Sequence, residues 1–134
     1  MTVETRVPIK HEVDIVTARQ QGRALASQLG FSNIEQTFIA TAISEVARNI
    51  IVYAKSGEIT MRTEQRNGGK PGITIVARDE GPGIPDVALA MQNGYSTTNS
   101  LGLGLPGAKR MMDEFEIVSE VGKGTTITMR KWKQ

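Results

Sequence analysis

The sequence predicts an α+β fold: a two-layer sandwich in which helices cover one face of a mixed β-sheet. Helix and strand patterns do not alternate strictly along the chain, and hairpins adjoin helices, which argues for this class. Four apolar residues (Ile39, Ile43, Val46 and Ile50) share one face of a long helix, so that face needs a second layer to cover it. With 134 residues and 39% hydrophobic content, residues 1–134 are expected to form one domain with its own core.

Capping and turn residues delimit the predicted elements. Asp14 is predicted to cap the first helix and Gly30 to close it, and Ser32 with Glu35 has the spacing of a capping box. The predicted elements are, in chain order, an edge strand at Thr5–Lys10, helices at Ile15–Leu29 and Asn33–Tyr53, strands at Ile59–Thr63 and Ile73–Arg78, a short helix at Asp86–Gln92, a loop at Asn93–Leu101, a helix at Leu103–Phe115, and strands at Glu116–Val121 and Thr125–Trp132.

Composition excludes several classes of protein. The 16 basic residues exceed the 14 acidic ones by two, which is too small a surplus to indicate a nucleic-acid partner. The chain has no cysteine, so it has neither disulfides nor thiolate metal sites. The first ten residues lack the apolar core of a signal peptide, and no apolar run is long enough to enter a membrane. We therefore expect a cytoplasmic protein without a membrane partner.

A Glu/Asn pair lies on the long helix. Glu45 and Asn49 are four residues apart, so they share a helix face, roughly 100° from the centre of the apolar stripe. At the rim of the core, an Asn carbonyl suits magnesium and a carboxylate can accept a proton from an attacking hydroxyl. The alternative is an ordinary surface pair.

Three glycine-bearing segments follow that pair. Asp79 ends an apolar strand just before Gly81 and Gly83, so its carboxylate could accept a hydrogen bond from a base amino group while the glycines make room for the ring. An Asp-initiated turn is the alternative. The second segment is Gly102-Leu103-Gly104, and the third is Gly122-Lys123-Gly124-Thr125, which could be a plain hairpin turn. Glycine-rich backbone can approach phosphate closely, so together the segments favour an ATP site.

The second segment could be mistaken for two other nucleotide motifs. Gly102, Gly104 and Gly107 fit a G-x-G-x-x-G string, but no predicted strand precedes it, as a dinucleotide-binding unit requires. A P-loop is excluded because Lys109 is at the wrong offset and is not followed by Ser or Thr. The segment is therefore interpreted as a helix amino end, whose free amides favour phosphate.

In this order, the four features resemble the GHKL (Bergerat-fold) ATPases, a family that includes bacterial histidine kinases, type II topoisomerases and heat-shock chaperones. The segments 43–50 and 102–115 more specifically resemble RsbT-type serine/threonine protein kinases, switch proteins of the bacterial stressosome. The resemblance implies that ATP and magnesium are the cofactors. It assigns the general base to Glu45, magnesium binding to Asn49 and adenine recognition to Asp79. It also assigns nucleotide contacts to the residues Gly81, Gly83, Gly102, Leu103, Gly104 and Thr125.

The resemblance also implies partners. The substrate would be a serine or threonine on a STAS-domain protein, and the released kinase would activate a phosphatase regulator in the general stress response. The predicted ATP lid, Asn93–Leu101, has no Lys or Arg, although related kinases carry a cation there. Positive charge could instead come from Arg48, Lys109, Arg110, magnesium or the partner. Two alternatives stay open: an anti-sigma factor kinase of the same fold, and a mainly non-catalytic switch gated by nucleotide.

Overall fold

The computed structural model describes residues 4–65, 69–84, 87, 91 and 104–133. These residues contain helices α1 (Glu12–Gln28), α2 (Asn33–Tyr53) and α3 (Gly104–Met111), and strands β1 (Glu4–Ile9), β2 (Gly57–Gln65), β3 (Pro71–Asp79), β4 (Glu114–Glu120) and β5 (Gly124–Trp132). Within this described part of the chain, no helix is long and apolar enough to cross a membrane.

The five strands form one sheet in the order β1-β2-β3-β5-β4, with helices on one side. The predicted α+β class is confirmed, but every neighbouring pair is antiparallel, so the described sheet is not mixed. The topology explains this. The consecutive helices α1 and α2 return the chain to the end of the sheet at which β1 ends. Strand β2 therefore starts there, with Gly57 opposite Ile9. The β2–β3 and β4–β5 pairs are hairpins, and β5 enters the sheet beside β3.

The core lies between the helices and one face of the sheet. The predicted apolar stripe of α2 is buried, as are alternate residues of the three central strands, including Ile59, Ile75 and Ile127. Helices α1 and α2 approach closely at Gly22, where an added Cβ would lie only 2.1 Å from the Ile43 Cδ1 atom. Burial of this face fixes the register of the strands, because a one-residue slip would expose every core side chain.

Helix α1 begins three residues earlier than the sequence predicts. Its N-cap is His11, and Asp14 occupies the third helical position, where its carboxylate accepts hydrogen bonds from the backbone amides of Lys10 (2.8 Å) and His11 (2.9 Å). These two bonds lower the Asp14 pKa. The prediction that Asp14 is the cap was therefore wrong, because an acid can satisfy the free amides from inside the first turn as well as from the cap. Gly30, with φ of +87°, follows the helix end as predicted.

Helix α3 is shorter than predicted, ending at Met111 rather than Phe115. The backbone amide of Asp113 donates to the Arg130 carbonyl (2.9 Å), and its carboxylate accepts from the amide of Trp132 (2.8 Å). These bonds to β5 start β4 at Glu114, so Phe115 is in a strand. Pairing with a distant strand overrides the local helical pattern. Only part of the predicted short helix at Asp86–Gln92 is described: there the Met91 amide donates to the Val87 carbonyl (3.0 Å).

The sheet face away from the helices carries a polar network. Glu64 on β2 accepts hydrogen bonds from Thr74, Arg62 and Arg130, and these bonds, led by the one from Thr74, lower the pKa of Glu64. A broad depression of about 550 Å³ lies beside this network, lined by Arg62, Glu64 and Trp132 among others. Two of its charged side chains, Arg62 and Glu64, are paired with each other, and none of the predicted site residues lines it.

Candidate nucleotide site

Three polar side chains form a row across adjacent strands on the helix-covered side of the sheet. Asp79 on β3 is paired with Thr125 on β5, and Thr125 is paired in turn with Ser119 on β4. Because directly opposed residues of antiparallel strands project to the same face, the three side chains lie next to one another. Asp79 and Thr125 are only 8% and 5% exposed, at a position that the apolar alternation of both strands reserves for core residues. A buried carboxylate beside a buried hydroxyl indicates a site for a polar ligand.

Asp79 has one oxygen committed and one available. Its Oδ1 atom accepts a hydrogen bond from the backbone amide of Gly81 (2.9 Å), which fixes the carboxylate at the start of the loop. Among the described residues no hydrogen bond to Oδ2 is found. An ionised carboxylate has about four acceptor positions, so Asp79 can receive a further donor such as an exocyclic amine.

The glycines after Asp79 let the loop pack against two other elements. At Gly81, an added Cβ would lie 2.5 Å from the Ala54 Cβ atom just after α2, and at Gly83, which has φ of +81°, it would lie 2.5 Å from the Glu120 carbonyl oxygen. The loop thus fits between the end of α2 and the β4–β5 turn. This packing requires glycine at both positions. The predicted role of making room for a nucleobase stays a prediction.

The β4–β5 turn holds the same loop from the other side. The amide of Gly122 donates to the Pro82 carbonyl (2.8 Å), and the amide of Ile84 donates to the Ser119 hydroxyl (2.6 Å). At Gly124, with φ of +126°, a Cβ would lie 2.2 Å from the Asp79 carbonyl oxygen. The two segments predicted to meet an adenine therefore contact each other directly, and the third glycine segment is more than an isolated hairpin turn.

Helix α2 reaches this site through its last turns. A Cβ added at Gly57, the residue opposite Asp79, would be 3.0 Å from the Ile50 Cγ2 atom and 3.1 Å from the Asp79 Cβ atom. Gly57 thus lies between Asp79 and the turn of α2 that carries Asn49, which is half-buried. The structure therefore places Asn49 and Asp79 in one region of the molecule. Among the described residues no group of three or more acidic or histidine side chains could hold a metal.

Glu45 connects α2 with α3. Its half-buried carboxylate accepts a hydrogen bond from the backbone amide of Gly104, the first residue of α3. Burial raises the pKa of Glu45, and the nearby Arg48 guanidinium and the Gly104 amide only partly oppose this. The segments of Glu45 and Gly104, which the sequence predicts to serve one site, are thus in contact. The predicted general base accepts from an amide that is predicted to bind phosphate.

The far end of α3 is anchored by Lys131 of β5. The Lys131 ammonium group donates to the Met111 carbonyl (3.0 Å), lies 3.9 Å from the Asp113 carboxylate, and stands 5.5 Å from the centre of the Phe38 ring on α2. A cation at a helix carboxyl end is stabilising. This buried lysine therefore holds α3 so that its amino end faces Glu45.

The cations proposed to replace a lid cation occupy different positions. Lys109 and Arg110 are exposed in the last turn of α3, at the opposite end of that helix from Gly104. Arg48 is on α2 between Glu45 and Asn49, and its Nε atom is buried without a hydrogen-bond partner among the described residues. Arg48 is therefore the candidate nearest to the predicted catalytic residue. Gly102, Leu103 and the predicted lid at Asn93–Leu101 lie outside the described residues.

Sequence reasoning missed Ser119. Its hydroxyl lies 2.9 Å from the Thr125 hydroxyl and accepts from the Ile84 amide, so it joins β4 to the loop that follows Asp79. One signal was available: Ser119 occupies an inward position of an otherwise apolar alternation with Phe115 and Ile117. A serine at such a position indicates a polar partner on the covered side of the sheet.

Comparison with known proteins assigns the family. A model of the histidine kinase-like ATPase domain matches residues 8–131. The chain therefore belongs to the histidine kinase-like ATPase domain family. The resemblance to the GHKL fold predicted from the sequence is confirmed, and ATP binding is the property that the family name describes.

Two relatives refine this assignment. The chain is 50% identical over 132 residues to the serine/threonine-protein kinase RsbT of Bacillus subtilis strain 168, covering 98% of both chains. It is 37% identical over 118 residues to an anti-sigma F factor of Caldanaerobacter subterraneus subsp. tengcongensis, covering 86% of this chain and 82% of that protein. The first match confirms the predicted resemblance to RsbT-type kinases and the predicted enzyme class, protein serine/threonine kinase.

Solved structures agree on the fold. The sensor histidine kinase MprB of a mycobacterium superposes with a TM-score of 0.57 at 18% identity, with 97% of each chain covered. A structure of RsbU and RsbW domains from Mycobacterium tuberculosis gives a TM-score of 0.65 at 18% identity, covering this whole chain and 33% of that one. At this level of identity the match supports the histidine kinase-like ATPase fold and no more.

Proposed function

We propose that this chain is an ATP- and magnesium-dependent protein serine/threonine kinase that phosphorylates a STAS-domain partner. When released from that partner, it activates a phosphatase regulator in the general stress response, and it acts in the bacterial cytoplasm. The observation that carries the proposal is the meeting of the predicted segments: Asp79 and Thr125 are paired on the sheet beside the last turns of α2, and Glu45 of α2 contacts Gly104. Family membership and the 50% identity to RsbT support it.

The base end of the site would recognise adenine by hydrogen bonding. The buried Asp79 carboxylate has an acceptor position for the adenine amino group, and the Thr125 hydroxyl lies beside it for a ring nitrogen, directly or through water. Gly81 and Gly83 would form the wall of this pocket. Because the carboxylate is held by the Gly81 amide, the pocket needs little rearrangement when the base enters.

The phosphate end would lie between α2 and the amino end of α3. The free amides and dipole at a helix amino end favour phosphate, and the sequence predicts such an end at Gly102, Leu103 and Gly104. Asn49 would contribute its side-chain oxygen to magnesium, which commonly takes few protein ligands together with substrate phosphates. Magnesium, when bound, would neutralise part of the phosphate charge.

In the transfer step, the hydroxyl oxygen of a partner serine or threonine would attack the γ-phosphorus. The bond from that phosphorus to the oxygen bridging the β-phosphate would break, and ADP would leave. Glu45 would accept the hydroxyl proton, and its burial suits this role because a raised pKa makes the carboxylate a stronger base. Before transfer, the Glu45 carboxylate must be free to face the substrate, so phosphate would replace it at the Gly104 amide.

The central test is transfer of labelled phosphate. The purified chain is mixed with γ-labelled ATP, magnesium and a candidate STAS-domain protein, beside Asp79→Asn and a control, Glu116→Gln, which alters an exposed acid of β4. We expect label on a partner serine or threonine with the wild type and the control. Asp79→Asn should bind ATP about 10- to 150-fold more weakly, since a hydrogen bond to a charged group contributes about 1.5–3 kcal/mol. Label only on this chain, or none at all with an active partner, would refute the kinase.

The anti-sigma factor alternative is supported by one observation, the 37% identity to an anti-sigma F factor. A chain of this class would sequester a sigma subunit in addition to transferring phosphate. Binding to purified sigma subunits in the presence of ATP distinguishes the two. A stable complex with a sigma subunit would favour the alternative, and its absence together with phosphorylated partner would favour the stress-response kinase.

The nucleotide-gated switch differs in its chemistry. It would bind the partner with an affinity that depends on ATP without transferring phosphate. Titration calorimetry of the partner with and without ATP, followed by mass spectrometry of the partner, separates the two cases. Nucleotide-dependent affinity without a phosphorylated peptide would favour the switch alone.

A further inference from the structure

The hydroxyl of Ser119 occupies a position from which it can control the hydroxyl of Thr125. Within the described part of the chain, the Ser119 Oγ atom has three polar neighbours: the Ile84 amide nitrogen at 2.6 Å, the Thr125 Oγ1 atom at 2.9 Å and the Gly124 carbonyl oxygen at 3.4 Å. A serine hydroxyl has one proton to donate and two lone pairs that accept. The Ile84 amide can only donate, so it occupies one lone pair.

The remaining distances decide which way the Ser119 proton points. Hydroxyl hydrogen bonds have oxygen–oxygen distances of about 2.5–3.0 Å, so the contact with Thr125 is normal and the contact with Gly124 is too long. If Thr125 donated to Ser119, the Ser119 proton would be left with only the long contact. The favourable arrangement therefore has Ser119 donating to Thr125. The Thr125 oxygen then accepts a hydrogen bond from Ser119 on β4. The Thr125 proton can therefore point toward Asp79 and the space above the sheet.

We infer that Ser119 is a positioning residue for base selection, which keeps Thr125 as a hydrogen-bond donor beside the acceptor Asp79. This rests on the proposed adenine pocket. An acceptor next to a donor is complementary to adenine, which presents an amino donor next to a ring-nitrogen acceptor. Hypoxanthine and guanine present the reverse, a carbonyl oxygen next to an N–H group. Asp79 rejects the carbonyl oxygen, and Thr125, with its proton directed by Ser119, rejects the N–H group.

The test compares binding of ATP and inosine triphosphate to the whole chain by titration calorimetry. In Ser119→Ala the Thr125 hydroxyl can rotate, and it can then accept the N–H group of hypoxanthine. The ratio of the inosine triphosphate Kd to the ATP Kd should fall about fivefold, the value of one ordinary hydrogen bond. If Ser119 had a purely structural role, its loss would weaken the binding of both nucleotides equally and leave this ratio unchanged.

Three further variants complete the design. Ser119→Thr keeps a hydroxyl and should restore the ratio. Thr128→Ala removes a hydroxyl from the opposite face of β5 and should leave the ratio unchanged. In a Thr125→Val background, Ser119→Ala should not change the ratio, because the hydroxyl through which it acts is gone. If Ser119→Ala fails to fold, Ser119→Cys makes the same test, since a thiol is a weak donor.

The outcomes separate this inference from the proposed function. If the wild type binds ATP selectively and the ratio is the same in Ser119→Ala, or changes equally in Thr128→Ala, the role of Ser119 is refuted while the ATP site stands. A change that persists in the Thr125→Val background would also refute it. If the wild type binds neither nucleotide, the proposed function itself fails.

Discussion

The base end and the phosphate end of the candidate site are held in different ways. At the base end, Asp79 and Thr125 are on central strands of the sheet, and the loop that follows Asp79 is bonded through its backbone to the β4–β5 turn. At the phosphate end, Glu45 and Asn49 project from one helix, and the Glu45 carboxylate meets the Gly104 amide of α3. For the proposed kinase, the difference predicts that the base end would recognise its ligand with a fixed surface, whereas the phosphate end would exchange contacts during catalysis.

The largest difference between the two ends is expected in the rate of phosphate transfer when Glu45 is replaced. Glu45→Ala and Glu45→Gln should each lower phosphate transfer to the partner about 1,000-fold, within the range that a positioned general base contributes. Because no contact among the described residues joins Glu45 to the base end, the ATP Kd should change by less than about threefold. Single-turnover transfer and equilibrium titration measure the two quantities separately. Wild-type transfer in either variant would show that Glu45 is not the base.

At Gly81, the base end should be sensitive to the size of the side chain rather than to its charge. In Gly81→Ala, the new methyl group would lie 2.5 Å from the Ala54 Cβ atom, so the loop must move and Asp79 loses its amide partner. We expect ATP binding to weaken about tenfold and stability to fall by about 1–3 kcal/mol, as in other overpacked sites.

The pair Gly81→Ala with Ala54→Gly makes that prediction specific. Removing the Ala54 methyl group vacates the space that the new one needs, so the double variant should recover part of both ATP affinity and stability, measured by titration and by denaturant unfolding. Ala54→Gly alone serves as the control. Equal losses in the single and double variants would mean that contact with Ala54 is not the reason for glycine.

The pH dependence of transfer should report the phosphate end alone. Burial raises the pKa of Glu45 above its ordinary value of 4.5, so the base is lost by protonation as the pH falls through that raised value. The acid limb of the single-turnover rate, measured at saturating ATP, should therefore have its midpoint above pH 4.5. A midpoint at or below 4.5 would indicate that Glu45 is either not desolvated or not the titrating base.

The smallest expected effect is on the melting temperature at pH 7, which should rise when Glu45 is replaced and fall when Asp79 is replaced. The raised pKa means that ionised Glu45 destabilises the fold at pH values above its folded pKa, and that this cost disappears below 4.5. Glu45→Gln should thus raise the melting temperature slightly at pH 7 and leave it unchanged at pH 4. Asp79→Asn, which weakens the bond to the Gly81 amide, should lower it at pH 7. Differential scanning calorimetry of both variants at pH 7 and pH 4 checks these predictions.

Much of the fold was predictable because its signals are local. The apolar stripe of α2 and its capping box at Ser32 and Glu35 predicted the helix bounds Asn33–Tyr53, which are the observed ones. The boundary between α3 and β4 was not predictable, because the bonds from Asp113 to Arg130 and Trp132 join residues that are far apart in the chain. The antiparallel order, with β5 between β3 and β4, likewise depends on contacts between distant segments.

For the candidate site, the sequence by itself determined which residue types are available: an acid and an amide on one helix face, an acid that ends an apolar strand, and glycines at the turns. Only the tertiary structure decided what each of them touches. It paired Asp79 with Thr125, added Ser119 to the row, and directed Glu45 to Gly104. The physical reason is that helix and turn preferences act over a few residues, whereas strand register and burial are set by the packing of the whole sheet against its helices.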